Sequence, residues 1–125
     1  MGEGVRRRVP SKSKQLVRRL SELNEVAEHL HTVLRRYSKA SASVATLVDQ
    51  GTHLVPALES LHGPVRRSEV TEALEEFEAA RHRVRLAMFA LAKEQGSSFS
   101  DVARALGISR QLASRLAAEA EETQH

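Results

Sequence analysis

The sequence predicts an all-α protein, in which a bundle of three to four helices precedes two short helices joined by a tight turn. Apolar residues recur every three or four positions through two long stretches, 14–38 and 68–95, and this spacing places them on one face of a helix. Glycine and proline interrupt the pattern between and beyond those stretches. A chain of 125 residues suits one domain, or a small bundle with an appended module.

Residues 1–13 form a basic tail that has little to bury. The tail contains two glycines, a proline and three consecutive arginines, Arg6, Arg7 and Arg8. This composition favours a flexible segment. Two interpretations stay open: a basic arm that contacts phosphates, or an ordinary frayed terminus that happens to be basic.

The stretch 14–38 predicts a long first helix. Its apolar positions alternate in steps of four and three, the spacing of a heptad seam, over about three repeats. Val26 and Val33 widen this stripe beyond a strict coiled-coil seam, as in a helix inside a bundle. We therefore expect the seam to lie partly within the chain and partly against a second copy. The seam positions are Leu16, Leu20, Leu23, Ala27, Leu30, Leu34 and Tyr37.

Residues 40–62 continue the apolar pattern but contain two interruptions. Gly51 disfavours a helix, and Pro56 lacks a backbone donor and is tolerated only in a first helical turn. The stretch is either one helix kinked near Gly51 or two short helices. The sequence favours the second arrangement, with Thr52 as the cap. The His-Gly-Pro run at 62–64 then predicts a stop.

Residues 68–95 predict a second long helix, with Ser68 as its cap. Its first half is acidic, which suits the positive end of the helix dipole, and its second half is basic. A helix of about 28 residues is roughly 40 Å long. One end of this helix can thus belong to the bundle, residues 14–95, which is the expected dimerisation region. The other end supports the helices that follow, so that the bundle and those helices are expected to form one rigid body. The positions expected to face the core are Val70, Leu74, Phe77, Ala80, Val84, Ala87, Met88 and Leu91.

The stretch 98–122 predicts two short helices and the turn between them. Ser98 and Asp101 have the spacing of a capping box. Gly107 suits the left-handed residue just past a helix end, and Ser109 caps the second helix. Each helix is expected to bury one side against the other, with a small residue where they come closest. The packing positions are Ala103, Gly107, Ile108, Ala113 and Leu116.

Four polar side chains remain outward near the start of the second helix: Arg110, Gln111, Ser114 and Arg115. Arginine can donate a forked pair of hydrogen bonds to a guanine edge, and glutamine can pair with adenine. Serine can bond to a base or a phosphate. These side chains are therefore expected to contact base edges.

Residues 102–116, VARALGISRQLASRL, resemble the helix-turn-helix of bacterial DNA-binding proteins, especially sigma factor region 4 and the resolvase/invertase C-terminal domain. The resemblance implies that the all-α bundle predicted from the apolar spacing ends in a C-terminal helix-turn-helix. It also implies that the helix opening at Ser109 is the recognition helix in the major groove, within a DNA-binding unit of residues 81–122. The sequence has Ala113 where Val or Ile is usual. It has Leu112 at a position that is commonly polar, and we expect Leu112 to contact a thymine methyl or a neighbouring subunit.

The charge distribution indicates a polyanionic partner. The net charge is +3, but the basic residues gather in 1–20 and 81–115, and the remainder is acidic. Four scattered aromatic residues do not form a stacking surface for single strands, which favours duplex DNA. Of the two interpretations of the tail, the basic arm would contact phosphates or enter a minor groove. The residues expected to contact the DNA backbone are Ser109, Arg104, Arg81, Arg83, Arg85, Arg6, Arg7 and Arg8.

Other kinds of chemistry find little support. The chain has no cysteine, so disulfides and thiolate zinc sites are excluded. Its six histidines lack metal-site spacing, and neither a paired-carboxylate cluster nor a phosphate-binding loop is present. We expect no enzyme activity, no metal and no cofactor. No apolar run could span a membrane and no secretory signal is present, so a cytoplasmic, nucleoid-associated protein is expected.

The sequence thus favours a sequence-specific duplex DNA-binding protein, a bacterial transcriptional regulator that is a homodimer through its bundle. Two alternatives stay open. One is an adaptor that binds RNA polymerase or a sigma factor and carries a vestigial helix-turn-helix. The other is a nucleoid or plasmid-maintenance protein that binds DNA without sequence preference, with a steep salt dependence.

Overall fold

The protein is described by a computed structural model, in which residues 11–123 are placed. This part of the chain is all-helical and contains no strand, which confirms the predicted all-α class. The five helices are α1 (Lys12–Asp49), α2 (Leu54–Glu59), α3 (Gly63–Glu94), α4 (Phe99–Leu106) and α5 (Arg110–Thr123). The arginines of the basic tail, Arg6 to Arg8, lie outside the described residues.

Helix α1 is longer than the predicted 14–38. It begins at Lys12, where the Ser11 hydroxyl accepts a hydrogen bond from the backbone N–H of Lys14 (3.1 Å). It continues to Asp49 because the chain from 12 to 49 contains no glycine or proline. A hydroxyl near its end bonds back into the helix: Thr46 donates to the Ala42 carbonyl (3.1 Å).

The break at Gly51 was expected, and its geometry explains why the helix ends there. Gly51 has a φ of 95°, which is left-handed and suits glycine. Its N–H donates to the Val48 carbonyl (3.0 Å), and the N–H of Thr52 donates to the Leu47 carbonyl (2.9 Å). These two bonds form a Schellman motif. The kinked-helix alternative is therefore wrong. The favoured break is present, but only the segment after it is a short helix, because residues 40–49 belong to α1.

Helix α2 differs from the prediction in its cap. His53, and not Thr52, is the N-cap residue, and it makes no side-chain capping bond. Pro56 lies in the first turn, where a missing backbone donor costs nothing. The Ser60 hydroxyl donates to the Ala57 carbonyl (2.8 Å) at the other end.

Helix α3 begins at Gly63, so the predictions of a cap at Ser68 and a stop extending through Pro64 are wrong. The break is confined to the residues before Gly63, where His62 has a positive φ of 53°. The His62 carbonyl accepts hydrogen bonds from the backbone N–H groups of Val65 (3.0 Å) and Arg66 (3.2 Å). Pro64 therefore occupies the first turn of α3, where it fits without disruption.

The chain divides into two compact units. The central unit is Asn24–Ala79, and the terminal unit combines, among the described residues, 11–23 with 80–123. Helices α1 and α3 each have one part in either unit. The terminal unit contains the whole helix pair, by which we mean α4, α5 and the turn between them.

The central unit buries few large side chains. Val33 of α1, Ala57 of α2 and Ala73 of α3 are its buried apolar residues, and Arg36 forms an ion pair with Glu69 (2.8 Å) that links α1 to α3. Many large apolar side chains in this unit remain exposed, including two seam positions and the predicted core residue Leu74. The exposed set is Leu34, Tyr37, Val48, Leu54, Val55, Leu58, Val65 and Leu74.

Val33 offers a test of this packing. Val33→Ala should lower the free energy of unfolding by about 2 kcal/mol, because it removes two methyl groups from a side chain that is 3% exposed. Val17, on the same helix, is 66% exposed and provides the matched control. Val17→Ala should change the unfolding free energy by no more than about 0.5 kcal/mol. Urea denaturation followed by circular dichroism measures both, and equal losses would contradict the assignment of the core.

Candidate nucleic-acid interface

Helix α4 begins with a reciprocal cap. The Ser98 hydroxyl accepts a hydrogen bond from the Asp101 backbone N–H (3.1 Å), and the Asp101 carboxylate accepts one from the Ser98 N–H (3.2 Å). These hydrogen bonds, and then the nearby charge of Arg104, hold the pKa of Asp101 below its ordinary value. The predicted capping box is therefore present.

The turn between α4 and α5 occupies residues 107–109. Gly107 is left-handed, with φ 72° and ψ 30°. The N–H of Gly107 donates to the Arg104 carbonyl (3.3 Å), and the N–H of Ile108 donates to the Ala103 carbonyl (3.1 Å). Ser109 then accepts a hydrogen bond from the Leu112 N–H (3.1 Å), which caps α5. Both ends of the turn are thus fixed by hydrogen bonds.

A compact apolar core holds the helix pair together and joins it to the end of α3. Ala103 of α4 and Ala113 of α5 are both buried, and Ala113 has no exposed area. The two small side chains permit close approach of the helices. Their neighbours in this core are Phe89 of α3, Leu116 and Ala120, with Leu86, Phe99, Val102, Ile108, Leu112 and Ala117 packed around them.

Leu112 and Phe89 differ from expectation. Leu112 was expected to point outward, but it is half-buried and packs against this core. Phe89 is not among the positions expected to face the core of the long helix, yet it is a buried member of the cluster, 4% exposed. The sequence has three phenylalanines and one tyrosine. Because aromatic side chains contribute much of the apolar area of a core, the scarcity of such residues is the one sequence feature that indicates burial of Phe89.

The structure places all four expected base-reading residues at the surface of α5. Arg110, Gln111, Ser114 and Arg115 are exposed, whereas Ala113, Leu116 and Ala120 of the same helix are buried. We call these four exposed residues the α5 polar face. No ion pair with another described residue engages either arginine of this face.

The guanidinium group of Arg110 lies over an aromatic ring. Its guanidinium carbon lies 5.8 Å from the ring centroid of Phe99, the first residue of α4. This distance is within the range of a cation–π contact. The contact restricts Arg110 at the start of α5 without using any of its hydrogen-bond donors. This role of Phe99 is not predicted from the sequence.

The expected backbone-contacting residues are not equivalent. Arg104 is exposed and forms an ion pair with Asp101 (2.5 Å). Arg81 and Arg85 share one face of α3 because they are four residues apart, whereas Arg83 points to another side. Ser109 is already engaged as the cap of α5.

Two contacts fix the second half of α5 against α3. The His82 Nε2 atom lies 2.6 Å from the Glu119 carboxylate, and Lys93 pairs with Glu121. These long-range pairs were not identified from the sequence. They constrain α5 at the end opposite to its polar face.

Residues 11–123 contain no cluster of three or more side chains that could hold a metal ion. No helix in the described part of the chain is both long and apolar enough to cross a bilayer.

Gly107→Ala should destabilise the helix pair by about 1 kcal/mol, because a Cβ atom is disfavoured at a left-handed φ. Gly63 is the matched control: it has no left-handed φ, and a Cβ there would meet only the Leu58 carbonyl at 3.9 Å. Gly63→Ala should change the unfolding free energy by no more than about 0.5 kcal/mol. Thermal denaturation of both variants tests this, and a Gly107→Ala protein as stable as the wild type would contradict the role of the turn.

Comparison with known proteins adds no relative: the chain matches no family model, no curated protein and no solved structure.

Proposed function

We propose that this protein is a sequence-specific duplex DNA-binding protein, a bacterial transcriptional regulator whose helix pair acts as a helix-turn-helix with α5 in the major groove. The α5 polar face carries this proposal. It presents four exposed hydrogen-bonding side chains on a helix whose opposite side is buried. A helix of this kind fits the width of the major groove of B-DNA, about 12 Å.

The chemistry of the polar face suits the reading of base edges. Arg110 and Arg115 can each donate two hydrogen bonds to the O6 and N7 atoms of guanine, and Gln111 can pair with adenine. The Phe99 ring restricts Arg110 before DNA arrives. Less side-chain freedom is then lost on binding, which favours affinity.

Basic residues around the polar face would contact the phosphate backbone and so position the protein on the DNA. The Arg104 guanidinium has five donors, so it can keep its bond to Asp101 and donate to a phosphate at the same time. Arg81 and Arg85 share a face of α3 and offer a second charged edge, and Arg83 would act separately. Arg6, Arg7 and Arg8 belong to the proposed basic arm.

We also propose that two copies associate through the central unit. The short helix α2 exposes 58% of Leu54, 63% of Val55 and 45% of Leu58. Exposed apolar side chains in such number on a small unit are typical of an interaction surface. A two-fold dimer would present two copies of α5 to half-sites about one helical turn apart, or a multiple of it, in a palindromic site.

The same exposed surface favours one alternative, an adaptor whose central unit binds RNA polymerase or a sigma factor. DNA binding without sequence preference is the other alternative. The two experiments below separate these possibilities.

Selection of bound duplexes from a random library should yield a common sequence for the wild-type protein. Arg110→Ala/Arg115→Ala should weaken binding to that sequence at least about tenfold, because one lost guanine contact already corresponds to about 1–3 kcal/mol. Arg35→Ala/Arg67→Ala removes two exposed arginines of the central unit and should leave binding nearly unchanged. Fluorescence anisotropy of a labelled duplex provides the measurement.

Three outcomes of that experiment would contradict the proposal. Equal affinity for selected and unrelated duplexes would indicate binding without sequence preference. Equal losses in both double variants would assign the effect to overall charge. Failure of the wild-type protein to bind any duplex would favour the alternative that it is an adaptor.

Leu54→Glu/Leu58→Glu should convert a dimer into a monomer, because like charges would meet across a two-fold interface. Val17→Glu changes an exposed valine outside the central unit and should leave the dimer intact. Sedimentation velocity at several concentrations measures the mass, and circular dichroism checks that the helices persist. A wild-type protein that sediments as a monomer at about 100 μM, well above a micromolar dimer constant, would refute the dimer.

A further inference from the structure

The part of α1 that belongs to the central unit carries a stripe without charged residues. Its eight positions follow one another in alternating steps of three and four, the spacing of a coiled-coil seam. None of them is Asp, Glu, Lys or Arg, whereas six of the other eighteen residues between Asn24 and Asp49 are. All eight except the half-buried Ala27 are exposed. The stripe consists of Asn24, Ala27, His31, Leu34, Ser38, Ser41, Ala45 and Val48.

This stripe is distinct from the side of α1 that packs within the central unit. On that inner side Val33 is buried. Each residue of a helix advances about 100° around the axis, so Leu34 lies about 100° and His31 about 160° from Val33. A helix face that only water covers has no reason to lack charge. The stripe therefore has the composition of a surface that packs against another helix.

Two exposed charges of opposite sign border the stripe. Glu28 and Arg35 are seven residues apart, and each directly follows a stripe position, so both lie along the same edge. Neither forms an ion pair with another described residue. The guanidinium group of Arg35 instead contacts the ring of His31, at 3.4 Å. Both charges are thus accessible to a helix that covers the stripe.

A second copy of α1 that runs antiparallel would pair these two charges. In one register of such a pair, Leu34 lies opposite His31 of the second copy. Glu28 is then beside Arg35 of the second copy, and two-fold symmetry makes the same contact twice. A shift of seven residues in either direction would instead bring two copies of Arg35 together, or two copies of Glu28. A parallel pair would place Arg35 beside Leu30. Charge complementarity therefore selects this antiparallel register.

We propose that α1 pairs antiparallel with α1 of a second copy through this stripe, with two reciprocal ion pairs between Glu28 and Arg35. The contact is separate from the α2 surface of the proposed dimer, and it does not depend on DNA binding. Near its centre only Leu34 and Tyr37 are large and exposed, and exposed ion pairs add little. Its affinity is therefore in the millimolar range, which suits proteins held close together, such as two dimers on neighbouring sites of one duplex.

Introduced cysteines test the pairing directly, because the chain contains none. In the proposed register Asn24 lies opposite Ser41 of the second copy. Asn24→Cys/Ser41→Cys should therefore give a covalent dimer with bismaleimidoethane at about 1 mM protein. Each single variant should not, because identical thiols of the antiparallel pair are about 25 Å apart. The two thiols within one chain are separated by the same distance.

Denaturing electrophoresis measures the yield of covalent dimer. No covalent dimer from the double variant would overturn the pairing. Equal yields from single and double variants would indicate a parallel pair or random collisions, and would also overturn it. The yield should persist when Leu54→Glu/Leu58→Glu is added. Loss of the yield in that protein would assign the cross-link to the α2 surface and overturn a separate contact, whereas a monomeric wild type at about 100 μM would refute only the proposed dimer.

Charge reversal in the Asn24→Cys/Ser41→Cys protein tests the ion pairs. Glu28→Arg or Arg35→Glu alone should slow cross-linking about tenfold, because each makes two contacts between like charges. Both reversals together should restore the rate. Glu76→Arg and Lys39→Glu make the same changes of charge at exposed positions away from the stripe, and should have little effect. Equal slowing by these controls, or no recovery in the combined variant, would overturn the ion pairs, with circular dichroism confirming that the helices persist.

Discussion

The close approach of α4 and α5 depends on two alanines and one left-handed glycine. Ala103 and Ala113 leave room for one helix beside the other, and Gly107 lets the chain turn within three residues. Larger side chains at the two alanines would separate the helices and expose the apolar residues around them. Because Ala113, Leu116 and Ala120 are buried on one side of α5, the opposite side, which carries Gln111 and Arg115, must face outward, and Arg110 lies at the edge of that outward side. The orientation of the polar face thus follows from packing rather than from any feature of the polar residues themselves.

The features of the helix pair that the sequence predicted act over a few residues. The capping box of Ser98 and Asp101, the left-handed Gly107 and the cap at Ser109 are each specified by a neighbour within three positions. The break at Gly51 is of the same kind. Local hydrogen bonds of this type need no information about distant parts of the chain, so these features could be predicted from the sequence.

The predictions that failed concern choices that local sequence leaves open. Gly63 and Pro64 fit two places equally well. Just past a helix end, glycine tolerates a left-handed conformation and proline stops the helix; in a first turn, the donor that proline lacks has no partner to lose. On α3, one apolar stripe was assumed for the whole helix, and it included Leu74 and omitted Phe89. The helix instead contributes Ala73 to the central unit and Phe89 to the core of the helix pair. Such a change of partner along one helix, like the contact between His82 and Glu119, depends on tertiary structure.

The interleaving of buried and exposed residues on α5 constrains how the protein can diverge. From Arg110 to Leu116, residues that pack inward alternate with residues that point outward. An insertion or deletion of one residue in this segment would rotate everything after it by about 100° around the helix axis, and would bring charged side chains into the core. Residues 50–53, which link α1 to α2, are outside the helices, so a change of length there would not rotate packed side chains about a helix axis. Related chains should therefore vary in length at that link and keep the interval from Ala103 to Leu116 constant, even where its outward residues change.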